Sequence, residues 1–375
     1  MTGLDFYRGD LAGLDALGRR RSLRSRAGVD FASNDYLGLA GDGALQSALS
    51  EALARGVPLG SGGSRLLRGN DPEHEALEHE AATFFGAGSA LFFSSGYAAN
   101  LAVFATLPQR GDLVLYDELV HASAHDGMRL GRAATKAVRH NDPAAFGKAI
   151  EAWRRAGGKG RPWLAVESLY SMDGDIAPVA ALAEIADRHD GFLVIDEAHA
   201  TGVFGTRGRG LAEALDGREN VITLHTCGKA LGCEGALVCL DPVLRDFLVN
   251  RARSFIFSTA PSPLMAAAVR AALRLVEAEP ERREALRARV RHAEARMAPV
   301  GVTATGSQIL PLIIGDEART MAVAGAVQRA GFDVRGIRPP TVPPGTSRLR
   351  ISITLNASEQ DIDRLADTLA VALAQ

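Results

Sequence analysis

A chain of 375 residues, 47% hydrophobic and 23% charged, has the size and composition of an ordinary globular protein with room for two lobes. Its formal net charge of −2 and isoelectric point near 6.5 leave no electrostatic footprint for nucleic acid or an anionic membrane. No apolar run reaches the roughly 18 residues of a membrane span, and the opening MTGLDFYRGD is too polar for a secretory signal, so the expected compartment is the cytoplasm.

In chain order, residues 1–40 read as an N-terminal segment, 41–265 as a large domain and 266–375 as a smaller one. The basic cluster Arg19, Arg20, Arg21, Arg24 and Arg26 is either a solvated face or the mouth of a site for an anionic substrate. FASNDYLGL at 31–39 reads as a strand leading into a turn, where the Asn34 amide can hydrogen-bond a carboxylate. GSGGS at 60–64 frees the backbone to approach a ligand. Asp71 and Pro72 cap and start a helix with Leu77, Ala81, Phe84 and Phe85 along one face. A strand at 90–93 then runs into SSGYAAN, a turn entering the next helix. Unpaired amides at such a helix start suit phosphate, which makes Gly96 and Tyr97 candidates.

Strands at 113–116, 136–139 and 163–167 alternate with helical stretches, the βαβ rhythm of a doubly wound sheet. His121, following the first of these strands, can lie flat over an aromatic ring, although a lone histidine is more often structural. SLYSMDGD at 168–175 is a loop carrying the Ser171 hydroxyl and several carboxylates. FLVIDEAHAT at 192–201 reads as a buried parallel strand ending in Asp196, which places Asp196 and His199 at the carboxyl end of the sheet, where ligands bind in open α/β folds.

Residues 221–238, VITLHTCGKALGCEGALV, set one lysine, Lys229, in a glycine-rich turn between two apolar runs. Alone, that lysine is either a surface charge or a desolvated amine kept for covalent chemistry. DEAH is also the magnesium box of certain helicases, but the P-loop such a protein needs, G-x-x-x-x-G-K-[ST], does not occur. The remaining reading is a pyridoxal phosphate site, with Asp196 meeting the ring nitrogen and Lys229 carrying the aldehyde. Cys227, Cys233 and Cys239 form no C-x-x-C, and the pair His121 and His125 lacks a third metal ligand, so no metal is expected. Beyond Lys229, two helical patterns fill 264–297. The last hundred residues alternate strand and helix, with Arg350 a charge inside the apolar strand RLRISI.

SNDYLGL, GSGGSR, HEALE, SSGYAAN, VHAS, SLYSMDGD, VIDEAHATGVFG, TCGKALG, FIFSTAP and IRPPTVPPGTSRLRIS occur here in the order that resembles the α-oxoamine synthases, over nearly the whole chain. The resemblance implies a fold-type-I pyridoxal phosphate enzyme: a large, doubly wound, mostly parallel α/β domain and a smaller α+β domain. Such an enzyme condenses an amino acid with an acyl thioester and releases carbon dioxide. IRPPTVPPGTSRLR is most similar to members that join L-alanine to a pimeloyl thioester; glycine-using members with acetyl or succinyl thioester are the alternative. It further implies Lys229 as cofactor lysine and base, Asp196 on the ring nitrogen, and His199 and Ser171 on the phenolic oxygen. His121 would stack on the ring, and Gly96, Tyr97 and Thr226 would hold phosphate. Thr259 would join them from the second subunit of a homodimer. Arg350 and Asn34 would clamp the amino-acid carboxylate, and Thr341 and Arg19 would contact the acyl substrate. The segment before FASNDYLGL is shorter than in the family pattern, Arg68 replaces a small residue, and Cys227 replaces a bulkier one.

Overall fold

The computed structural model describes residues 3–23 and 25–374; Arg24 of the basic cluster lies outside them. Twelve strands are formed among these residues: β1 Val29–Asp30, β2 Ser89–Phe93, β3 Leu113–Asp117, β4 Ala134–Val138, β5 Pro162–Glu167, β6 Phe192–Asp196, β7 Val221–Thr226, β8 Ala236–Leu240, β9 Ile309–Gly315, β10 Phe332–Asp333, β11 Arg335–Ile337 and β12 Ser347–Ser352. Seven of them make the central sheet, in the order β2-β8-β7-β6-β5-β3-β4. Only β8 runs against its neighbours.

The period-2 geometry of a strand explains why these sequences are apolar throughout. Val114, Trp163, Ala165, Val194 and Ile222 pack on one face with the helices Gly96–Thr106, Ala122–Leu130 and Pro242–Arg251. Leu113, Leu115, Leu164, Val166, Leu193 and Ile195 pack on the other with Pro143–Arg155 and Val179–Arg188. Both faces are covered, so alternate residues are buried in turn.

FASNDYLGL departs from the expected strand. Ladder pairing stops at the two residues of β1, just before it, which pair with β10; Phe31 adds one backbone bond to Asp333 and one from Ser352. Asp30 then turns the chain by accepting the amides of Ala32 at 3.1 Å and Ser33 at 2.9 Å, a side chain replacing the ladder that a strand would need. Phe31, Tyr36, Leu37 and Leu39 are nevertheless fully buried, and that burial fixes the loop.

The later part of the chain supplies a three-stranded antiparallel sheet, β11-β12-β9, with the helices Glu317–Arg329 and Glu359–Leu373. The last helix starts at a capping box between Ser358 and Asp361. One apolar cluster joins Tyr36, Leu77, Leu231, Val269, Leu310 and Leu365. It spans segments on both sides of residue 265 and ties the N-terminal turn to both sheets. Among the described residues no helix is long and apolar enough to cross a membrane, and no cluster of three or more His, Cys, Asp or Glu could hold a metal ion.

Candidate active site

Parallel strands deliver Glu167, Asp196 and Thr226 to the same end of the sheet, because β5, β6 and β7 end in those residues. Asp196 accepts the Ala198 amide at 2.9 Å on Oδ1 and the Asn100 side-chain amide at 2.8 Å on Oδ2. Asn100 is buried in the helix Gly96–Thr106 and also donates to Ser123 Oγ at 3.0 Å. Both carboxylate oxygens are thus engaged, which fixes the orientation of the group.

Lys229 stands in the turn between β7 and β8. The Cys233 amide bonds to the Cys227 carbonyl, and the Gly232 amide to that of Lys229, each at 2.9 Å. Gly232 has a φ of +63°, and a Cβ there would meet the Ala40 amide at 2.4 Å, so both the turn and its packing require glycine. Lys229 Nζ lies 2.7 Å from His199 Nε2. Burial pushes the Lys229 ammonium below its ordinary value, while Asp196 and Glu167 pull the other way. His199 is buried and held well below its usual range, first by desolvation and then by the charge of Lys229, so its ring is neutral. Its Nδ1 is 2.7 Å from the Tyr36 hydroxyl, and its carbonyl accepts from Gln308 Nε2 at 2.7 Å.

Arg350, on β12, is buried and spreads its fork over the same wall. Nε donates to the Ser171 carbonyl at 2.6 Å, Nη1 to Ser352 Oγ at 2.8 Å and Nη2 to Asn34 Oδ1 at 3.0 Å. Tyr36 donates its hydroxyl to that same Asn34 oxygen at 2.9 Å. Two residues earlier, Arg348 pairs with Asp173, so one strand clips the loop that carries Ser171 at two points. A third clip comes from His140, whose Nδ1 and Nε2 lie 2.9 Å from Asp117 and 2.7 Å from Asp175. Burial alone would lower the His140 pKa; the two carboxylates overcome it and raise it to about 10.

His121 caps the helix Ala122–Leu130, its Nδ1 accepting the Ser123 amide at 3.2 Å. With Asn100, Glu167 and Asp196 it lines a small cavity at the strand ends. Gly96 begins the helix after β2 with its Cα side facing Thr226: a Cβ there would lie 3.6 Å from Thr226 Oγ1. The amides of Gly96 and Tyr97 precede the first intrahelical bond, and the Tyr97 hydroxyl pairs with Asp126.

Lys229, His199, Asp196, His121, Asn34, Ser171 and Arg350 are thus brought to one region, with Gly96 and Thr226 beside each other at its edge. Three expected residues make no hydrogen bond to this group among the described residues. Arg19 forms a two-point ion pair with Glu317, at 2.9 and 2.5 Å, and Thr341 and Thr259 lie exposed on loops. Sequence reasoning missed Asn100, Tyr36, Gln308 and Glu167. SSGYAAN holds a usable signal, since an amide within an otherwise apolar buried helix must find a polar partner.

These groups fit pyridoxal phosphate by their chemistry. They include a desolvated amine, a doubly hydrogen-bonded carboxylate at a strand end, and helix-start amides beside a threonine hydroxyl. Glu167 adds a buried carboxyl oxygen, Oε1, with no hydrogen-bond partner among the described residues.

The family model described as aminotransferase class I and II matches residues 26–369. The chain is 42% identical over 386 aligned positions to the 8-amino-7-oxononanoate synthase of Anaeromyxobacter dehalogenans (strain 2CP-1), covering 99% of this chain and 96% of that one. Among solved structures it is similar to a serine palmitoyltransferase from S. paucimobilis with a bound PLP-myriocin aldimine: TM-score 0.89, 27% identity, 98% of this chain and 97% of that one. It is also similar to the 8-amino-7-oxononanoate synthase of Francisella tularensis, with TM-score 0.77 and 25% identity over 92% of this chain and 98% of that one.

Proposed function

We propose, from the premise that this chain belongs to the aminotransferase class I and II family and, within it, to the 8-amino-7-oxononanoate synthases, that it joins L-alanine to a pimeloyl thioester in biotin biosynthesis. The products are 8-amino-7-oxononanoate, carbon dioxide and the free thiol. The protein is a pyridoxal-phosphate-dependent acyltransferase. Bound at this site, the cofactor supplies an aldehyde for the amino substrate and a protonated ring that accepts the electron pair released at Cα.

The observation that carries the reading is the meeting of Lys229 Nζ with neutral His199 Nε2, on the same strand ends that present Asp196. Lys229, desolvated and so more readily neutral, is the nucleophile that holds the aldehyde and the base that takes the Cα proton. His199 accepts from the amine and is oriented by Tyr36, which fixes where that proton is received. Asp196, braced by Asn100, keeps the ring nitrogen protonated, and His121 covers the ring. Ser171 and His199 serve its phenolic oxygen, while Gly96, Tyr97 and Thr226 take the phosphate. Arg350 and Asn34 orient the substrate carboxylate, which decides which Cα bond is set to break. Thr341 and Arg19 meet the acyl chain, Arg19 after parting from Glu317. The working form is a homodimer in which Thr259, exposed on this chain, completes the phosphate site of a second copy. Exposed Leu67 and Phe257 favour such an association.

Incubating the purified protein and pyridoxal phosphate with L-alanine and pimeloyl thioester, as coenzyme A or carrier-protein ester, yields a product with the mass of 8-amino-7-oxononanoate. Preferential turnover of glycine with acetyl or succinyl thioester, or of L-serine with a palmitoyl thioester, overturns the substrate assignment.

A further inference from the structure

Glu167 ends β5 as Asp196 ends β6, and the two are register partners on adjacent parallel strands. Glu167 is only 4% exposed. The two acids differ in what they receive. Asp196 takes donors on both oxygens, whereas Glu167 Oε1 meets no donor among the described residues. Two carboxylates side by side in a buried site cannot both be charged cheaply, and the proton goes to the one with fewer donors.

We infer that Glu167 is a further positioning residue of this site, a carboxylic acid kept protonated beside Asp196, confining the negative charge to Asp196 and placing a neutral carboxyl on the wall of the cavity shared with His121 and Asn100. The charged and titratable groups facing it are Asp117 from β3, Asp196 from β6, Lys229 from the turn after β7 and Tyr170 from its own loop. Burial raises the Glu167 pKa and Asp196 raises it further, against the pull of Lys229 and of a hydrogen bond from the Ser171 amide, which leaves Oε1 unserved. A neutral acid here has a consequence for the reaction. The ring nitrogen is served by one carboxylate of unit charge, and the pull that an ionised Glu167 would add to that of Asp196 on the Lys229 ammonium is removed, so the amine returns more readily to the base form.

The inference rests on the proposed pyridoxal phosphate reading, but its first test does not. Infrared spectra of the protein, with and without pyridoxal phosphate, contain a protonated-carboxyl carbonyl band at neutral pH that disappears in Glu167→Gln. In the loaded enzyme Gln, a neutral isostere of the protonated acid, restores turnover by at least about tenfold relative to Glu167→Ala. No such band in the wild type, or a Gln variant as impaired as the Ala variant, overturns the inference. Should Glu167→Gln fail to fold, carboxyl-labelled wild-type protein titrated by carbon NMR decides it. A glutamate that is already ionised at neutral pH refutes the inference. If the band is present but alanine and pimeloyl thioester give no product, the substrate assignment fails and this one stands.

Discussion

Asn100 illustrates how much of the site depends on a residue with no reactive group. Its side-chain amide is one of the two donors on the Asp196 carboxylate among the described residues, and it is buried, so no solvent replaces it in Asn100→Ala. A hydrogen bond to a charged group contributes about 1.5–3 kcal/mol, and the variant is expected to bind pyridoxal phosphate about 10- to 100-fold more weakly. Equilibrium titration of the cofactor absorbance checks this; unchanged affinity would mean that Asp196 is not the carboxylate that matters. Arg350→Lys removes the planar fork but keeps the charge. Three of its nitrogens are engaged, so a point charge cannot replace it. The KM for the amino acid is expected to rise about tenfold or more, while the KM for the thioester stays within about twofold. Steady-state kinetics in both substrates separate the two, and an equal rise in both KM values would contradict a role confined to the amino acid.

At the scale of elements, the loop bearing Ser171 is held by Arg350, Arg348 and His140 together. His140 is raised to about 10 in the folded chain from an ordinary value of 6.5, so its pairing with Asp117 and Asp175 stabilises the fold fully below about pH 6.5. That contribution is lost as the pH climbs through about 10. His140→Gln is therefore expected to be about 1–3 kcal/mol less stable than wild type at pH 6 and to approach it at pH 10.5. Urea unfolding at the two pH values checks the sign; a gap that widens with pH would contradict it. This clip was hidden in the sequence. His140, Asp117 and Asp175 come from three separate segments, and a histidine in RHND has no local pattern that marks an ion pair. The strand ending in Asp196 and the apolar run from Val221 towards the Lys229 turn, by contrast, are legible from apolar runs with a polar stop, and the helix starts from their caps. FASNDYLGL misled for a physical reason: its apolar residues are buried as a strand's would be, but by turns that Asp30 organises.

For the whole molecule, the sheet order brings together at one end residues that the chain separates widely, and the same core that joins Tyr36 to Leu310 and Leu365 holds Asn34 and Arg350 in register with Lys229. What sequence could not supply was mutual geometry. It offered Arg19 as a substrate contact, but not that its fork is occupied by Glu317. A dimer with shared sites predicts a sedimenting mass near twice the 39.5 kDa of one chain, and a stable, fully active monomer would remove Thr259 from the site. Lys229 itself admits the sharpest test, because the chain has only three other lysines, Lys136, Lys148 and Lys159, all exposed. Borohydride reduction of the cofactor-loaded protein, followed by peptide mass mapping, should place the pyridoxyl label on Lys229 and leave Lys229→Ala unlabelled and inactive. A label on any of the other three, or an active Lys229→Ala protein, would contradict the account at its centre.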